Sequence, residues 1–324
     1  MKISLITPAP KQSRAGNRTT ARRWARLLRA LGHDVRVAQE YRKEPADLMI
    51  ALHAWRSAAS IQRFRARYPR APLVVALTGT DIYRFAASDA ATTLRSLDLA
   101  DSLVGLHDLV REAIPRKYHR KLSIIHQSAE PLTRERPLRR AFEVLIIGHL
   151  REEKDPFRAA EAARLLPAHS RIRVLHLGGA HDRAWAQRAA REMARNPRYH
   201  WRGDVSGYLV RRALARAPLM VLSSVMEGGA NVISEAVVAG VPVLASAIPG
   251  SIGLLGRDYP GYFPVGDTEA LARLMLRVEQ EPAFRATLHR HCARRAPLFA
   301  PEREQQAWRR LLTGLLPARR AVEA

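Results

Sequence analysis

The chain has 324 residues, of which 47% are hydrophobic, a length and composition that fit two globular domains and exclude intrinsic disorder. Lysine and arginine number 54 against 30 acidic residues, and this excess of positive charge favours anionic partners. The single cysteine, Cys292, excludes an internal disulfide and fits a reducing compartment. The sequence has no apolar run long enough to span a bilayer, so we expect a cytoplasmic protein.

The first part of the chain alternates short apolar runs with amphipathic stretches, which predicts strands connected by helices. Strands are predicted at residues 2–7, 34–38, 47–52, 72–79, 102–106 and 122–127, and helices at 17–31, 57–68 and 89–99. In the first helix Trp24, Leu27 and Leu28 share one face, and Gly32 follows as a stop signal. This order predicts a parallel sheet covered by helices.

The second part repeats the alternation after residues 131–140, whose two prolines and many charges indicate a linker. Strands are predicted at residues 142–148, 171–179, 198–203, 219–224 and 241–246. The predicted fold class is α/β, with two doubly wound Rossmann-like domains, at 1–135 and 141–300, that face each other across a cleft. Residues 303–316 are predicted to be helical, and we expect residues 301–324 to pack back on the first domain.

The segment that follows the strand at 219–224 carries two carboxylates, Glu227 and Glu235, on either side of Gly228 and Gly229. Glycines let a backbone approach a ligand closely, and N–H groups at a helix start suit a pyrophosphate. Carboxylates accept hydrogen bonds from sugar hydroxyls. We expect Glu235 in the first turn of the following helix, near its positive end. The alternative is an acidic helix start that only stabilises the helix dipole.

Two basic loops also follow predicted strands. Lys154 comes after the strand at 142–148, where it could reach a pyrophosphate leaving group or lie on the surface of a capping turn. The loop at 8–20 holds Lys11, Arg14 and Arg18 beside Gly16 and Asn17, which is a phosphate-facing position in this fold class or a flexible basic loop. This loop fits neither a dinucleotide fingerprint nor a P-loop, which disfavours NAD and ATP.

The second half resembles the nucleotide-sugar domain of the retaining family 4 glycosyltransferases, which have the GT-B fold. The resemblance lies in the E-x7-E pair, in HWRGDV at 200–205, in GVPVLAS at 240–246 and in GDTEALA at 266–272. It implies a UDP-sugar donor, with Glu235 on the ribose, Glu227 at the transferred sugar and Lys154 on the diphosphate. Donor contacts are also implied for the segment Gly228, Gly229, Ala230 and Asn231, and uracil contacts for Gly203, Asp204 and Val205.

Three positions depart from the family pattern. Many members have a double glycine in the first loop, where this chain has AGN at 15–17. His149 stands where the family has an arginine, and Arg151 is a candidate replacement. In LTGTD, Thr78 stands where many members have a histidine that faces the reacting sugar, and Asp81 closes the same element. From the resemblance we expect Thr78 and Asp81 to be catalytic residues, together with Lys154 and Glu227. The resemblance therefore implies an acceptor unlike the usual hydroxyl.

Five segments are similar, almost word for word, to the selenosugar synthases of selenoneine biosynthesis. They are TPAPKQSRAGNRTTARRWARLL, LTGTDIY, GHLREEKDPFRAA, MEGGANVISEA and IPGSIGLLGRDYPGYFPVGD. These enzymes transfer a sugar from a UDP-sugar to selenophosphate and form a carbon–selenium bond. Selenophosphate is already an anion, so it needs positive charge more than a general base. The residues expected to hold it are Lys11, Arg14, Gly16, Asn17, Arg18, His53 and Arg56.

The donor sugar is expected to be glucose or N-acetylglucosamine, that is, UDP-glucose or UDP-GlcNAc. We expect no metal and no other cofactor, because no carboxylate pair has the spacing of a metal–diphosphate clamp. One alternative is a family 4 enzyme that glycosylates a lipid or saccharide hydroxyl and uses its charge to dock on membranes. The other, a basic nucleic-acid-binding module, is disfavoured by dispersed arginines and 6% aromatic residues.

Overall fold

The computed structural model describes residues 1–13, 16–138 and 140–315. Contacts divide the chain into two compact units: unit 1, of residues 1–127 with the described part of 301–324, and unit 2, of residues 128–300. The division falls between Gln127 and Ser128, a few residues before the boundary expected at 135. Within the described residues, no helix is both long and apolar enough to cross a membrane.

Unit 1 contains a six-stranded parallel sheet. Its strands are β1 (Lys2–Ile6), β2 (Asp34–Ala38), β3 (Leu48–Leu52), β4 (Leu73–Ala76), β5 (Ser102–Gly105) and β6 (Leu122–Ile124), in the order β2-β1-β3-β4-β5-β6. Its helices up to residue 127 are α1 (Gly16–Ala30), α2 (Ala58–Arg67), α3 (Ala86–Ser88) and α4 (Ala90–Leu99). A π-helical turn spans Asp81–Phe85, and 3-10 turns span Asp108–Ala113 and Arg116–Lys121.

The central strands β3 and β4 of unit 1 are buried on both faces because helices cover both sides of the sheet. Successive side chains of β3 alternate between the two cores: Ile50 packs with Trp24 of α1, whereas Met49 packs with Phe64 of α2. This alternation fixes the register of the strand and leaves the carboxyl ends of the strands as the open edge for side chains from loops.

Unit 2 contains the second six-stranded parallel sheet. Its strands are β7 (Phe142–Ile147), β8 (Ile172–Leu177), β9 (Tyr199–Trp201), β10 (Leu219–Leu222), β11 (Val243–Ser246) and β12 (Tyr262–Phe263), in the order β12-β11-β10-β7-β8-β9. Its helices are α5 (Arg158–Arg164), α6 (Arg183–Arg195), α7 (Gly207–Arg216), α8 (Asn231–Val238), α9 (Pro249–Leu255), α10 (Thr268–Gln280) and α11 (Pro282–Arg295). 3-10 turns span Glu152–Lys154 and Ala296–Phe299.

Residues 131–138, expected to be a linker, have no regular secondary structure but are attached to unit 2. Arg134 donates to the carbonyl oxygens of Leu214 and Ala217, both at 2.8 Å, at the end of α7. Glu135 pairs with Arg216 at 2.5 Å. The charges that indicated a linker therefore satisfy the last carbonyls of a helix, which is a favoured position for arginine.

The final helix, α12 (Pro301–Leu315), belongs to unit 1. Trp308 meets Trp24 of α1 edge to face, with ring centroids 4.7 Å apart. Glu304 is buried and accepts hydrogen bonds from Arg23 Nε at 2.9 Å and Trp24 Nε1 at 2.7 Å. The apolar stripe of the helix and one paired carboxylate thus attach it to α1.

The structure confirms the predicted fold class of two doubly wound parallel α/β sheets, each with six strands. One local expectation is wrong: α8 begins at Asn231, so Glu235 lies in its second turn and no acidic residue stands in the first turn. Ala230 occupies the N-cap and makes no side-chain cap hydrogen bond.

Candidate active site

Lys154 and Glu227 form an ion pair in unit 2, although 73 residues separate them in the sequence. Lys154 ends the 3-10 turn that follows β7, and Glu227 lies in the loop after β10. Glu227 Oε1 accepts from Lys154 Nζ and, at 2.6 Å, from the hydroxyl of Ser224. Because β7 and β10 are neighbours, their loops meet at the same sheet edge.

Hydrogen bonds to backbone carbonyl groups hold these two loops together. The Ser223 hydroxyl donates to the carbonyls of Lys154 at 3.2 Å and Asp155 at 2.8 Å, and Val225 N donates to Glu153 O at 3.0 Å. The side chains of Lys154 and Glu227 stay partly exposed, at 20% and 12%. The arrangement therefore presents a cation and a carboxylate together on a fixed support, open to a ligand.

The glycines around Glu227 allow close packing of backbones. Gly229 has a φ of +145°, which disfavours any other residue there. A Cβ added to Gly250, in α9, would lie 2.3 Å from the carbonyl oxygen of Glu227, so α9 packs directly under this loop. Glu235, in the second turn of α8, is partly exposed. The structure thus places Gly228, Gly229, Ala230 and Asn231 at the start of α8, beside Glu227.

A second group of loops meets at the ends of β7, β8 and β9. His149 Nδ1 accepts from Gly179 N at 3.1 Å, and Gly178 N donates to Gly203 O at 2.8 Å. A Cβ added to Gly179 would lie 3.3 Å from the Cβ of Asp204. The predicted donor residues His149, Gly203 and Asp204 are therefore brought together, with Val205 next in the chain.

Burial lowers the pKa of His149, with Arg151 as a further cause, so the ring is neutral near neutral pH. Its Nδ1 is occupied by the Gly179 N–H, which leaves the proton on Nε2. Arg151, the candidate replacement for the family arginine, has its Nε 3.9 Å from Glu153 and makes no hydrogen bond through that buried atom. His149, rather than Arg151, therefore contacts the glycine loop.

Arg18 is the most distinctive of the residues predicted to hold the acceptor. It lies in the first turn of α1 in unit 1, is 8% exposed, and its Nε has no hydrogen-bond partner among the described residues. Burial and the neighbouring charge of Arg22 lower its pKa. A buried guanidinium N–H without an acceptor is unfavourable unless a ligand oxygen completes its hydrogen bond.

The remaining residues of the first loop are arranged more loosely. Lys11 is exposed, Gly16 begins α1, and the carbonyl of Asn17 accepts from the Thr7 hydroxyl at 3.3 Å. Arg14 lies outside the described residues. The helix start and Arg18 therefore carry the anion-binding prediction for this loop.

His53, Thr78 and Asp81 meet at the ends of β3 and β4. Asp81 is fully buried, and its carboxylate accepts from the backbone N–H groups of four residues, which are Ala54, Thr78, Gly79 and Ile82. These bonds let the Asp81 carboxylate hold the shape of the loop, and the expectation that Asp81 acts in catalysis stays a prediction. The Thr78 hydroxyl is buried without a hydrogen-bond partner among the described residues.

His53 is also occupied within unit 1. It has a φ of +73°, its Nε2 lies 2.9 Å from the Thr80 hydroxyl, and its Nδ1 accepts from Arg56 N at 3.1 Å. Burial lowers its pKa, so it is neutral near neutral pH. His53 thereby orients Thr80 and the exposed Arg56, and its expected contact with the acceptor stays a prediction.

Sequence reasoning missed three residues that the structure places in this constellation. Ser224 read only as the end of a strand, yet its hydroxyl holds Glu227. Gly178 has a φ of +153°, and a Cβ there would lie 1.9 Å from Gly148 O; the doubled glycine at 178–179 was the available signal. His176 is buried in β8 and no pattern marked it. Within the described residues, no cluster of three or more His, Cys, Asp or Glu could hold a metal ion.

Comparison with solved structures defines the class of protein. The chain is similar to HepE of Anabaena in complex with UDP and glucose, at 16% identity and a TM-score of 0.77, over 97% of this chain and 100% of that one. Sucrose-phosphate synthase of Thermosynechococcus elongatus gives 17% identity and a TM-score of 0.77, over 97% and 99%. These likenesses, together with the two parallel sheets, show a GT-B fold.

The pneumococcal O-GlcNAc transferase GtfA, in complex with UDP and GlcNAc, is similar over 83% of this chain and 56% of that one, with a TM-score of 0.65 and 16% identity. A search of curated proteins finds no significant match. The profile of the family Glycosyl transferases group 1 matches residues 134–297, about half of the chain and almost all of unit 2. The chain belongs to this glycosyltransferase family.

Proposed function

We propose that the protein is a retaining glycosyltransferase that moves glucose or N-acetylglucosamine from its UDP derivative to selenophosphate, forming a carbon–selenium bond. Membership of the glycosyl transferases group 1 supports the reaction class. Solved structures of the same fold bind UDP, UDP-glucose or UDP with GlcNAc, which supports the donor class. The near-identical segments shared with the selenosugar synthases support the acceptor.

The donor half of the proposal rests on unit 2. The N-terminus of α8 and the ammonium of Lys154 offer positive charge to a diphosphate, and Glu227 has an oxygen, Oε2, to accept from a sugar hydroxyl. In the proposal Glu235 accepts from the ribose hydroxyls, and the loop at Gly203–Val205 contacts the uracil. Lys154 then stabilises the charge that develops on the leaving UDP.

One observation supports the proposed acceptor site above all others. The side chain of Arg18 is buried, and its Nε has no hydrogen-bond partner among the described residues. A tetrahedral oxyanion at the start of α1 would accept from Arg18 Nε and from the helix N–H groups, and Lys11 would add charge from the exposed side of the loop. A neutral hydroxyl acceptor supplies no such compensation. The proposal therefore assigns the phosphate group of the acceptor to this loop.

The acceptor requires no general base. Selenium in selenophosphate is already nucleophilic, so the neutral, hydrogen-bonded His53 and the saturated Asp81 are compatible with the chemistry. In the proposed step a selenium lone pair forms the bond to the anomeric carbon. The bond from that carbon to the diphosphate oxygen breaks, and UDP leaves with the electron pair on the face that selenium enters.

Mass spectrometry of the products tests this function. The purified protein is incubated with UDP-glucose or UDP-GlcNAc and selenophosphate, with orthophosphate replacing selenophosphate as the matched control. We expect UDP together with a sugar product that carries the isotope pattern of selenium, and no sugar product with orthophosphate.

Intact UDP-sugars in every mixture would contradict the proposal. UDP formation that instead requires an added saccharide or lipid alcohol would assign the protein to the hydroxyl-glycosylating alternative.

A further inference from the structure

His176 is a buried histidine that binds no ligand in the function proposed above. It lies in β8, is 0% exposed, and burial lowers its pKa to about 4, so it is neutral at working pH. Its Nε2 lies 3.0 Å from the carbonyl oxygen of Gly148, and its Nδ1 lies 2.9 Å from the Tyr199 hydroxyl.

These two contacts fix the tautomer of His176. A carbonyl oxygen can only accept, so Nε2 carries the proton and donates to Gly148. Nδ1 is then unprotonated and accepts from the Tyr199 hydroxyl. His176 therefore joins the edge strand β9, where Tyr199 lies, to the turn that leaves β7. The site requires one side chain with a donor and an acceptor, and the neutral histidine ring supplies both.

The turn that His176 holds is the one that carries His149. Gly148 N donates to Leu177 O at 2.9 Å, and Leu150 N donates to Gly179 O at 2.9 Å, so the backbone on both sides of His149 is bonded to the segment after β8. His149 Nδ1 accepts from Gly179 N, which leaves Nε2–H as a donor of fixed direction.

We propose that His176 is a positioning residue for the donor: it fixes the Gly148–His149 turn so that His149 Nε2–H donates to an oxygen of a nucleoside diphosphate. This inference rests on the proposed use of a UDP-sugar. His149 then binds as a neutral donor at a position where the related family presents a charged arginine, and its direction is set by the glycine loop rather than by attraction between charges.

Calorimetric binding of UDP to the full chain tests the inference with four variants. His149→Ala and His176→Leu should each raise the Kd for UDP about tenfold, as expected for one lost hydrogen bond to a charged group. The double variant should bind UDP no more weakly than His149→Ala alone, because His176 acts through His149. His176→Gln keeps a donor and an acceptor and should restore most of the affinity.

His107→Leu is the matched control for burial. His107 lies in unit 1, is also 0% exposed, and its pKa is likewise lowered by burial to about 4, but its Nε2 contacts the Tyr83 hydroxyl at 3.0 Å. Its loss should lower the thermal stability as His176→Leu does and leave the Kd for UDP unchanged. If His176 had only a structural role, His176→Leu and His107→Leu would both lower the thermal stability and would both leave the Kd for UDP unchanged.

The outcomes separate the inference from the proposed function. A wild-type chain that does not bind UDP contradicts both. A wild-type chain that binds UDP, with His176→Leu unchanged in Kd or with additive effects in the double variant, contradicts only the inference.

If His176→Leu does not fold, NMR of the histidine rings in the wild-type chain tests the inference instead. We expect the proton of His149 on Nε2, with a resonance that shifts when UDP is added. A proton on Nδ1, or a resonance that UDP leaves unmoved, would overturn the inference.

Discussion

Glu227 is the side chain on which Lys154 and Ser224 converge in unit 2. Its Oε1 accepts from Lys154 and Ser224, and the start of α9 packs under its backbone. The lysine is thereby held in one position before a ligand arrives. Charge that is positioned in advance does not have to reorganise when negative charge develops on a leaving diphosphate.

We expect Lys154→Met to lower kcat about 100-fold or more, because a preorganised cation at the leaving group contributes that much to comparable reactions. The KM for the UDP-sugar should change less than kcat. Initial rates of UDP release measure both constants. Lys117→Met, which removes an exposed lysine paired with Asp98 at 3.1 Å in unit 1, is the control and should leave both unchanged. Equal losses in the two variants would contradict the assignment of Lys154.

Arg18→Met should have opposite effects on stability and activity. Replacing a buried cation without a full set of partners by an apolar side chain of similar length should stabilise the ligand-free protein by about 1–2 kcal/mol. The same change should raise the KM for selenophosphate about tenfold or more, because the acceptor loses a charge-assisted hydrogen bond. Urea unfolding and initial rates measure the two effects.

Arg26→Met, on the exposed face of the same helix, controls for a general loss of positive charge and should change neither value much. A destabilised Arg18→Met variant with an unchanged KM for selenophosphate would show that Arg18 is a structural residue.

At the scale of elements, the strands and most helices could be predicted because apolar periodicity and glycine stops are local signals. Helix α1 illustrates this: Trp24 and Leu28 mark its buried face, and Gly32, with a φ of +85°, follows its end. The start of α8 could not be located to a residue, because Ala230 at its N-cap is not a capping residue. That uncertainty put Glu235 one turn too early.

The contacts between distant loops could not be predicted from the sequence at all. Glu304 looks like an ordinary helical carboxylate, yet it is buried against Arg23 and Trp24 across 280 residues of chain. Asp81 and His53 are predicted as site residues from their motifs. Their hydrogen bonds with backbone N–H groups, which the sequence does not reveal, show that they also organise the loop. A sequence shows which side chains have reactive or charged groups. It does not show how many of their hydrogen bonds are already made within the fold.

Gly178→Ala should disrupt the junction between the turn after β7 and the loop after β8. A Cβ there would lie 1.9 Å from the backbone oxygen of Gly148, so the two loops must separate. We expect a loss of about 2–4 kcal/mol in unfolding free energy and a markedly weaker Kd for UDP. Gly314→Ala in α12 has open space around the added Cβ and should be neutral or stabilising by up to about 1 kcal/mol.

Urea unfolding and calorimetry on the two glycine variants measure these effects. A Gly178→Ala variant that binds UDP like the wild type would contradict the role given to this junction.

At the scale of the whole molecule, buried histidines make stability depend on pH. Burial lowers the pKa of both His107 and His176 to about 4 from an ordinary value of 6.5. Between those values the unfolded chain binds protons that the folded chain does not. The unfolding free energy should therefore fall as pH falls from 6.5 toward 4, by about 1.4 kcal/mol per pH unit for each histidine. Above 6.5 these two groups contribute no pH dependence.

Urea unfolding of His107→Gln against the wild type across this range isolates one of the two histidines. The unfolding free energy of the variant should fall less on acidification than that of the wild type. The difference should equal the contribution of one histidine that binds a proton only in the unfolded chain. Parallel stability profiles for the two proteins would show that His107 does not stay neutral in the folded chain.

The positive charge is a property of the whole chain, with 54 basic and 30 acidic side chains. Much of the excess is engaged locally: Arg134 binds carbonyls at the end of α7, and Arg65 binds the Leu99 carbonyl and Asp101. Arg18 differs from these because its buried Nε has no partner among the described residues. Net positive charge concentrates anions near a protein. In the proposed function, the buried Arg18 determines where the anionic acceptor binds.

The identity of the bond formed at the anomeric carbon tests the central claim most directly. NMR of the product made from carbon-labelled UDP-glucose and selenophosphate should show a one-bond coupling between the anomeric carbon and selenium. The retained configuration should be readable from the same sample. An anomeric carbon bonded only to oxygen, whether in a glycosyl phosphate or in unreacted donor, would contradict the account.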